Sequence, residues 1–93
     1  MKPEKIRLVA EAHLALLRSK GVVSKRIDTS CSFSQIPREG LLAHASYLLE
    51  GLLTFVNQEG KYGKANRHLT AAQMCLSFAG IYTLDELREA NKP

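Results

Sequence analysis

Apolar positions return at helical spacing along most of this chain. From Pro3 to about Lys20, Ile6, Val9, Ala10, His13, Leu14, Leu16 and Leu17 recur every three or four residues and lay a stripe along one helix face. Pro3 suits a first helical turn, where its missing N–H is no loss, and Glu4 favours the positive helix start. Gly21 supplies the left-handed residue at which helices commonly stop. The periodicity lapses from Val22 to Ile36. Residues 24–30 are polar, and Cys31–Ile36 alternates in part, which predicts an extended segment with Phe33 and Ile36 tucked under the helices. About 15 residues without regular structure is long for a small domain, and one way to order them is against a partner or neighbouring subunit.

Pro37 opens a second helix and pushes Ile36 out of the helical region. It runs to about Asn57, and Leu41, Leu42, Ala45, Leu48, Leu49, Leu52, Leu53, Phe55 and Val56 cover well over half its circumference. One neighbour cannot bury so wide a stripe, so this helix is either central in a bundle or meets another copy of the chain. Gly51 inside it costs about 1 kcal/mol against alanine, which a close helix–helix contact there would explain. Gln58-Glu59-Gly60 is a turn. A third helix spans about 62–79 and ends at Gly80, with one stripe at Leu69, Ala72, Leu76 and Ala79 and another at Ala71, Met74, Cys75 and Phe78. Thr83-Leu84-Asp85-Glu86 has the S/T-x-x-E form of a capping box and opens a short helix over about 84–90, with Leu84 and Leu87 expected to face inward. The expected fold is all-α: a single domain over 1–93, three main helices plus a short C-terminal one, and association into a homo-oligomer.

Composition narrows the class. With 93 residues the chain is sized for one domain that hides roughly 60–70% of its unfolded surface. No apolar run approaches the ~18–20 residues of a membrane span. Glu11 and His13 interrupt the first apolar stretch, which argues against a signal peptide and for a cytoplasmic protein. The net charge of +4 lies wholly in residues 1–30, where Lys2, Lys5, Arg7, Arg18, Lys20, Lys25 and Arg26 face Glu4, Glu11 and Asp28. That balance admits an anionic partner without forming the dense basic stripe of a dedicated nucleic-acid binder. Cys31 and Cys75, 44 positions apart, read as small hydrophobes. His13, His44 and His68 lack metal-ligand spacing, so neither metal nor cofactor is expected. There is no GxSxG elbow, Walker motif or dinucleotide fingerprint, and the chain reads as a non-enzyme.

The candidate chemistry lies at the start of the third helix. Lys61, Lys64 and His68, at i, i+3 and i+7, share one face, with Arg67 beside Lys64. Cations there oppose the helix dipole by roughly 0.3–1 kcal/mol each when exposed. A phosphate or carboxylate would relieve that repulsion, and Tyr62, Asn66 and Gln73 could add stacking and hydrogen bonds. The plainer alternative is a solvated basic face paired with Glu50 or Asp85.

From residue 33 onward the pattern resembles a known group. IPRE (36–39), Leu42, His44, Tyr47, Leu48, Gly60, Lys61, Lys64, Ala65, Arg67, Leu69, Gln73, Leu76, Gly80, Ile81, Thr83, Glu86, Leu87, Arg88, Asn91 and Pro93 fall where small tailed-phage and prophage proteins read LxHxxWM/YL followed by GRxxKAxRWLGFxQGxLWxxGIxTIxELKxxNxP. This chain departs from the pattern with His68 for Trp, Thr70 and Met74 for Gly, and Ser77 for a second Trp. The resemblance implies a phage or prophage origin and carries no settled activity. By analogy with unrelated small helical phage proteins, the expected role is counter-defence, by sequestering a cyclic-nucleotide or ADP-ribose-derived immune signal. Lys61, Lys64, Arg67 and His68 would hold its phosphate, Tyr62 or Tyr47 would stack on a base with His44 and Gln73 nearby, and the 22–36 loop would close over it with Lys25 and Arg26. The rivals are an inhibitor or adaptor docking on a host defence protein through an apolar helix face, and a weak nucleic-acid binder using residues 1–30.

Overall fold

The broad apolar surface of residues 37–57 becomes the centre of the molecule. A computed structural model describes residues 1–93 and contains four α-helices and no strand: α1 (Pro3–Ser19), α2 (Arg38–Phe55), α3 (Tyr62–Phe78) and α4 (Leu84–Asn91). A single 3-10 turn lies at Phe33–Gln35. Helix α2 packs against α3 along most of its length and against α1 on its other flank, while α4 rests on α1. Leu41, Leu42, Ala45, Leu49, Leu52 and Val56 of this central segment meet Ile6, Leu14 and Leu17 of α1 and Leu69, Cys75 and Leu76 of α3. Each large aliphatic side chain taken fully out of water there contributes roughly 1.5–3 kcal/mol. Leu48, Leu53 and Phe55 lie half-buried on the same core. Two helices of the same chain thus cover the wide stripe, as in a bundle's central helix.

The 22–36 segment packs on α2 at its first residues: Ser24 Oγ lies 2.6 Å from Ser46 Oγ, the Lys25 N–H donates to the Ala43 carbonyl (3.1 Å), and the Ile27 N–H donates to His44 Nδ1 (3.3 Å). Residues 33–35 form a helical turn where the sequence suggested an extended run. The reason is local: the Gln35 side chain accepts from the Ser32 N–H at 2.9 Å, a cap that outweighs the short alternation. Phe33 and Ile36 do pack on the core, and Phe33 meets the ring of Phe78 edge-on at 5.8 Å.

One inward-facing assignment fails. Leu84 is 66% exposed, because Ile81 and Tyr82 already occupy the core beside the start of α4 and only Leu87 reaches it. Phe78 is 63% exposed at the end of α3. That end is closed by the Arg38 guanidinium, whose Nε donates to the Ala79 carbonyl at 2.9 Å, and by Gly80 at φ +77°. The capping box of α4 forms as expected: the Glu86 N–H donates to Thr83 Oγ1 (3.1 Å) and the Thr83 N–H to Glu86 Oε1 (2.9 Å).

The two glycines inside α2 differ in kind. A Cβ on Gly40 would stand 2.9 Å from Ile36 Cγ2, so packing of the entering chain requires its absence. A Cβ on Gly51 would meet only His68 Cδ2, at 4.0 Å, an ordinary contact. The close helix contact expected at Gly51 does not exist. Its space is open.

Candidate functional site

Gln73 leaves the site altogether. It is 4% exposed and belongs to a buried polar cluster joining α1, α3 and α4. Its amide donates to Asn91 Oδ1 (2.8 Å) and pairs with His13 Nε2 (3.0 Å), while Asn91 Nδ2 donates back to Gln73 Oε1 (2.9 Å). Gln73 is the largest polar side chain on a helix that is mostly apolar beyond His68, and a buried amide needs partners, which it finds here inside the fold.

The other candidates gather in part. A shallow groove of about 420 Å³ runs between α2 and the first turns of α3, lined by Tyr47, Glu50, Gly51, Thr54, Phe55, Lys64 and His68. The Lys64 ammonium stands 4.7 Å from the centre of the Phe55 ring, a cation–π contact that holds a flexible chain at the groove edge. The His68 ring meets Phe55 edge-on at 5.1 Å, and its Nδ1 lies 3.0 Å from the Lys64 carbonyl. Since a carbonyl only accepts, Nδ1 is the donor there, and the other ring nitrogen is left for a ligand. Tyr47, 42% exposed, stacks nearly parallel (16°) on His44 at 5.7 Å.

His44 is buried behind Tyr47 and does not line the groove. Burial, then the positive charge of Arg26 and of His68, holds its pKa below the usual imidazole value. The ring is therefore neutral and accepts from Ile27 through Nδ1, joining the 22–27 segment to the wall of the groove.

Lys25 and Arg26 are exposed and line a neighbouring groove of about 390 Å³ along Ile27, Cys31 and Ile36; no lid over Lys64 forms. Tyr62 is exposed at the first position of α3 outside the groove, and Asn66 spends its side-chain amide on the Tyr62 carbonyl (3.3 Å). Lys61 is exposed at the N-cap of α3, and Arg67 is exposed with its guanidinium folded back towards Gly63. They contribute field at the rim rather than a wall.

Acidic residues do not neutralise this cluster. Glu50 pairs with Arg18 (3.2 Å) and Asp85 with Arg88 (3.0 Å), while Lys61, Lys64 and Arg67 form no salt bridge. The Ser24 hydroxyl and, more weakly, Arg18 hold the Glu50 carboxyl below its usual pKa, against an opposing effect of burial. The groove thus has a cation at one wall and an ionised carboxylate at another. Two larger grooves, each about 900 Å³, flank Gly21–Lys25 and the α1 start beside Asn91 and Pro93; neither is lined by an aromatic ring. Both thiols are free, and burial pushes that of Cys75 up to about 11, so it stays protonated among core residues. No three His, Cys, Asp or Glu side chains converge as metal ligands, and no helix is long and apolar enough to cross a membrane.

Sequence reasoning missed Glu50, Gly51, Thr54 and Phe55. Their signal was spacing: Tyr47, Gly51 and Phe55 at i, i+4 and i+8, with Glu50 and Thr54 alongside, form a continuous edge of α2 next to its buried stripe. Compared with protein families, curated proteins and solved structures, the chain matches none of them.

Proposed function

We propose that this chain is a non-enzymatic binding protein that takes up a phosphate-bearing nucleotide in the groove between α2 and α3. The phosphate lies against the Lys64 ammonium beside the His68 ring, and the base lies on the exposed side of Tyr47. One observation carries the reading: Lys64 has no carboxylate partner yet is held over Phe55 at the mouth of a ring-lined groove. Lys61 and Arg67 add positive potential at the rim, where it raises the local concentration of an anion. The resemblance of residues 33–93 to small phage proteins supplies a phage setting, and analogy with unrelated small helical phage proteins supplies the role, counter-defence by stoichiometric sequestration of a nucleotide immune signal in the host cytoplasm.

Calorimetry with nucleoside monophosphates, cyclic dinucleotides and cyclised ADP-ribose products tests this. A charge-assisted contact predicts a loss of roughly 10- to 100-fold in affinity for Lys64→Ala and none for Lys2→Ala. Equal effects of the two changes, or no binding across the panel, would overturn it. A second reading, docking on a host protein, is favoured by the exposed Phe78 ring against Phe33. It predicts one stoichiometric host partner that is lost on Phe78→Asp and kept on Lys64→Ala.

A further inference from the structure

Gly51 sits in the middle of α2, where glycine weakens a helix, and packing does not require it: an added Cβ would find only an ordinary contact with His68. Gly40, in the same helix, is explained by a clash; Gly51 is not. What Gly51 does is leave one position of the groove lining without a side chain, among Tyr47, Phe55 and His68. At about 420 Å³ the groove is near the small end of ligand sites, which run from roughly 300 to 1,000 Å³. Its charges are of both signs. Lys64 attracts one anionic group, while Glu50, ion-paired with Arg18 at 3.2 Å, keeps lone pairs that accept hydrogen bonds from hydroxyl or N–H donors.

Resting on the function proposed above, we infer that the groove takes a single phosphorylated nucleoside unit, with Gly51 as the specificity-determining position beneath it. The phosphate occupies the Lys64 end, the flat base lies over Gly51 beside Tyr47, and Glu50 accepts from donors of the sugar or base. A cyclic dinucleotide, with two bases and two phosphates, brings a second phosphate for which the groove has no unpaired cation and a second base for which it has no room. Ribose 5-phosphate fills the anion end and leaves the rings uncovered.

The test is calorimetry of the full chain with AMP, GMP, ribose 5-phosphate, inorganic phosphate and cyclic di-AMP, on the parent, Gly51→Ala, Gly51→Leu and Lys64→Ala. A nucleoside monophosphate is expected to bind one per chain, more tightly than cyclic di-AMP or ribose 5-phosphate. Gly51→Ala should weaken it roughly tenfold, the scale set by one carbon in a fitted pocket, and Gly51→Leu should abolish it. Thermal melting guards against a folding artefact: Gly51→Ala should raise the melting temperature by about 2–8 °C while it lowers affinity. Lys64-dependent binding that is indifferent to Gly51→Leu, or that is as tight for cyclic di-AMP or ribose 5-phosphate as for the monophosphates, overturns the single-unit site and leaves the phosphate groove standing. Binding that ignores Lys64→Ala, or none at all, overturns both.

Discussion

At the scale of single residues, His13 is a buried polar group with one ring nitrogen paired and the other left without a partner. It is 3% exposed, its ring lies 4.9 Å from that of Tyr82, and its Nε2 faces the Gln73 amide. With Nε2 accepting, the neutral ring carries its proton on Nδ1, which is buried without a partner. Protonating Nε2 would set one N–H against another. Burial accordingly lowers the His13 pKa from its ordinary 6.5, and His44 shifts the same way. The unfolded chain therefore takes up protons near pH 6.5 that the folded chain refuses until lower pH. Stability from this source is present above about 6.5 and is lost as pH falls towards the folded values. The urea midpoint is expected to drop between pH 7.5 and 5.5, and to drop less in His13→Phe; an equal drop in both proteins would place the titration elsewhere. Gln73→Ala strands His13 and Asn91 together and should cost roughly 2–3 kcal/mol in urea unfolding, without loss of nucleotide binding.

At the scale of elements, one substitution has opposite signs within one helix. Gly51→Ala fills open space and should stabilise by about 0.5–1 kcal/mol. Gly40→Ala drives a methyl into Ile36 and should destabilise by roughly 1–3 kcal/mol. Melting curves of the two variants that moved together would contradict the packing described for the start of α2. Helix α4 is eight residues long and depends on its cap, so Thr83→Ala is expected to cost about 1 kcal/mol. Because Leu87 and Asn91 are its anchors, that change should also speed amide exchange in α4 before the other helices respond. Helix boundaries were legible from local signals: Pro3, the Ile36-Pro37 step, the Thr83–Glu86 box and Gly80 each mark a terminus to within a residue or two. The 22–36 segment was illegible for the opposite reason. Its order comes from bonds to Ala43, His44 and Ser46 of α2, and no pattern within the segment encodes them.

At the scale of the whole molecule, charge and ligand act together. Arg7 is paired with Glu11 and Arg18 with Glu50, so the basic N-terminal third is partly neutralised from within, while Lys61, Lys64 and Arg67 stay free. A nucleotide that binds only the folded chain should raise stability by about 2.7 kcal/mol at a hundredfold excess over its Kd. Thermal melting with AMP or GMP reads this directly. Since the rim cations are exposed, the gain should shrink at high salt, where the screening length falls to about 3 Å at 1 M. A gain independent of salt would count against Lys61 and Arg67 as rim charges. The sequence by itself determined the helical class, the order and ends of the helices, and the apolar stripes of the core, because capping, proline chemistry and periodicity act over three or four neighbouring residues. It also brought out the cation cluster at the start of α3. Only the tertiary structure decided that Gln73 belongs to a buried network, that Phe55 holds Lys64, and that Gly51 lines a groove beside His68 rather than a tight helix–helix crossing. Each of those depends on which side chain of one helix meets which side chain of another, and that pairing is set by the packing of all four helices at once.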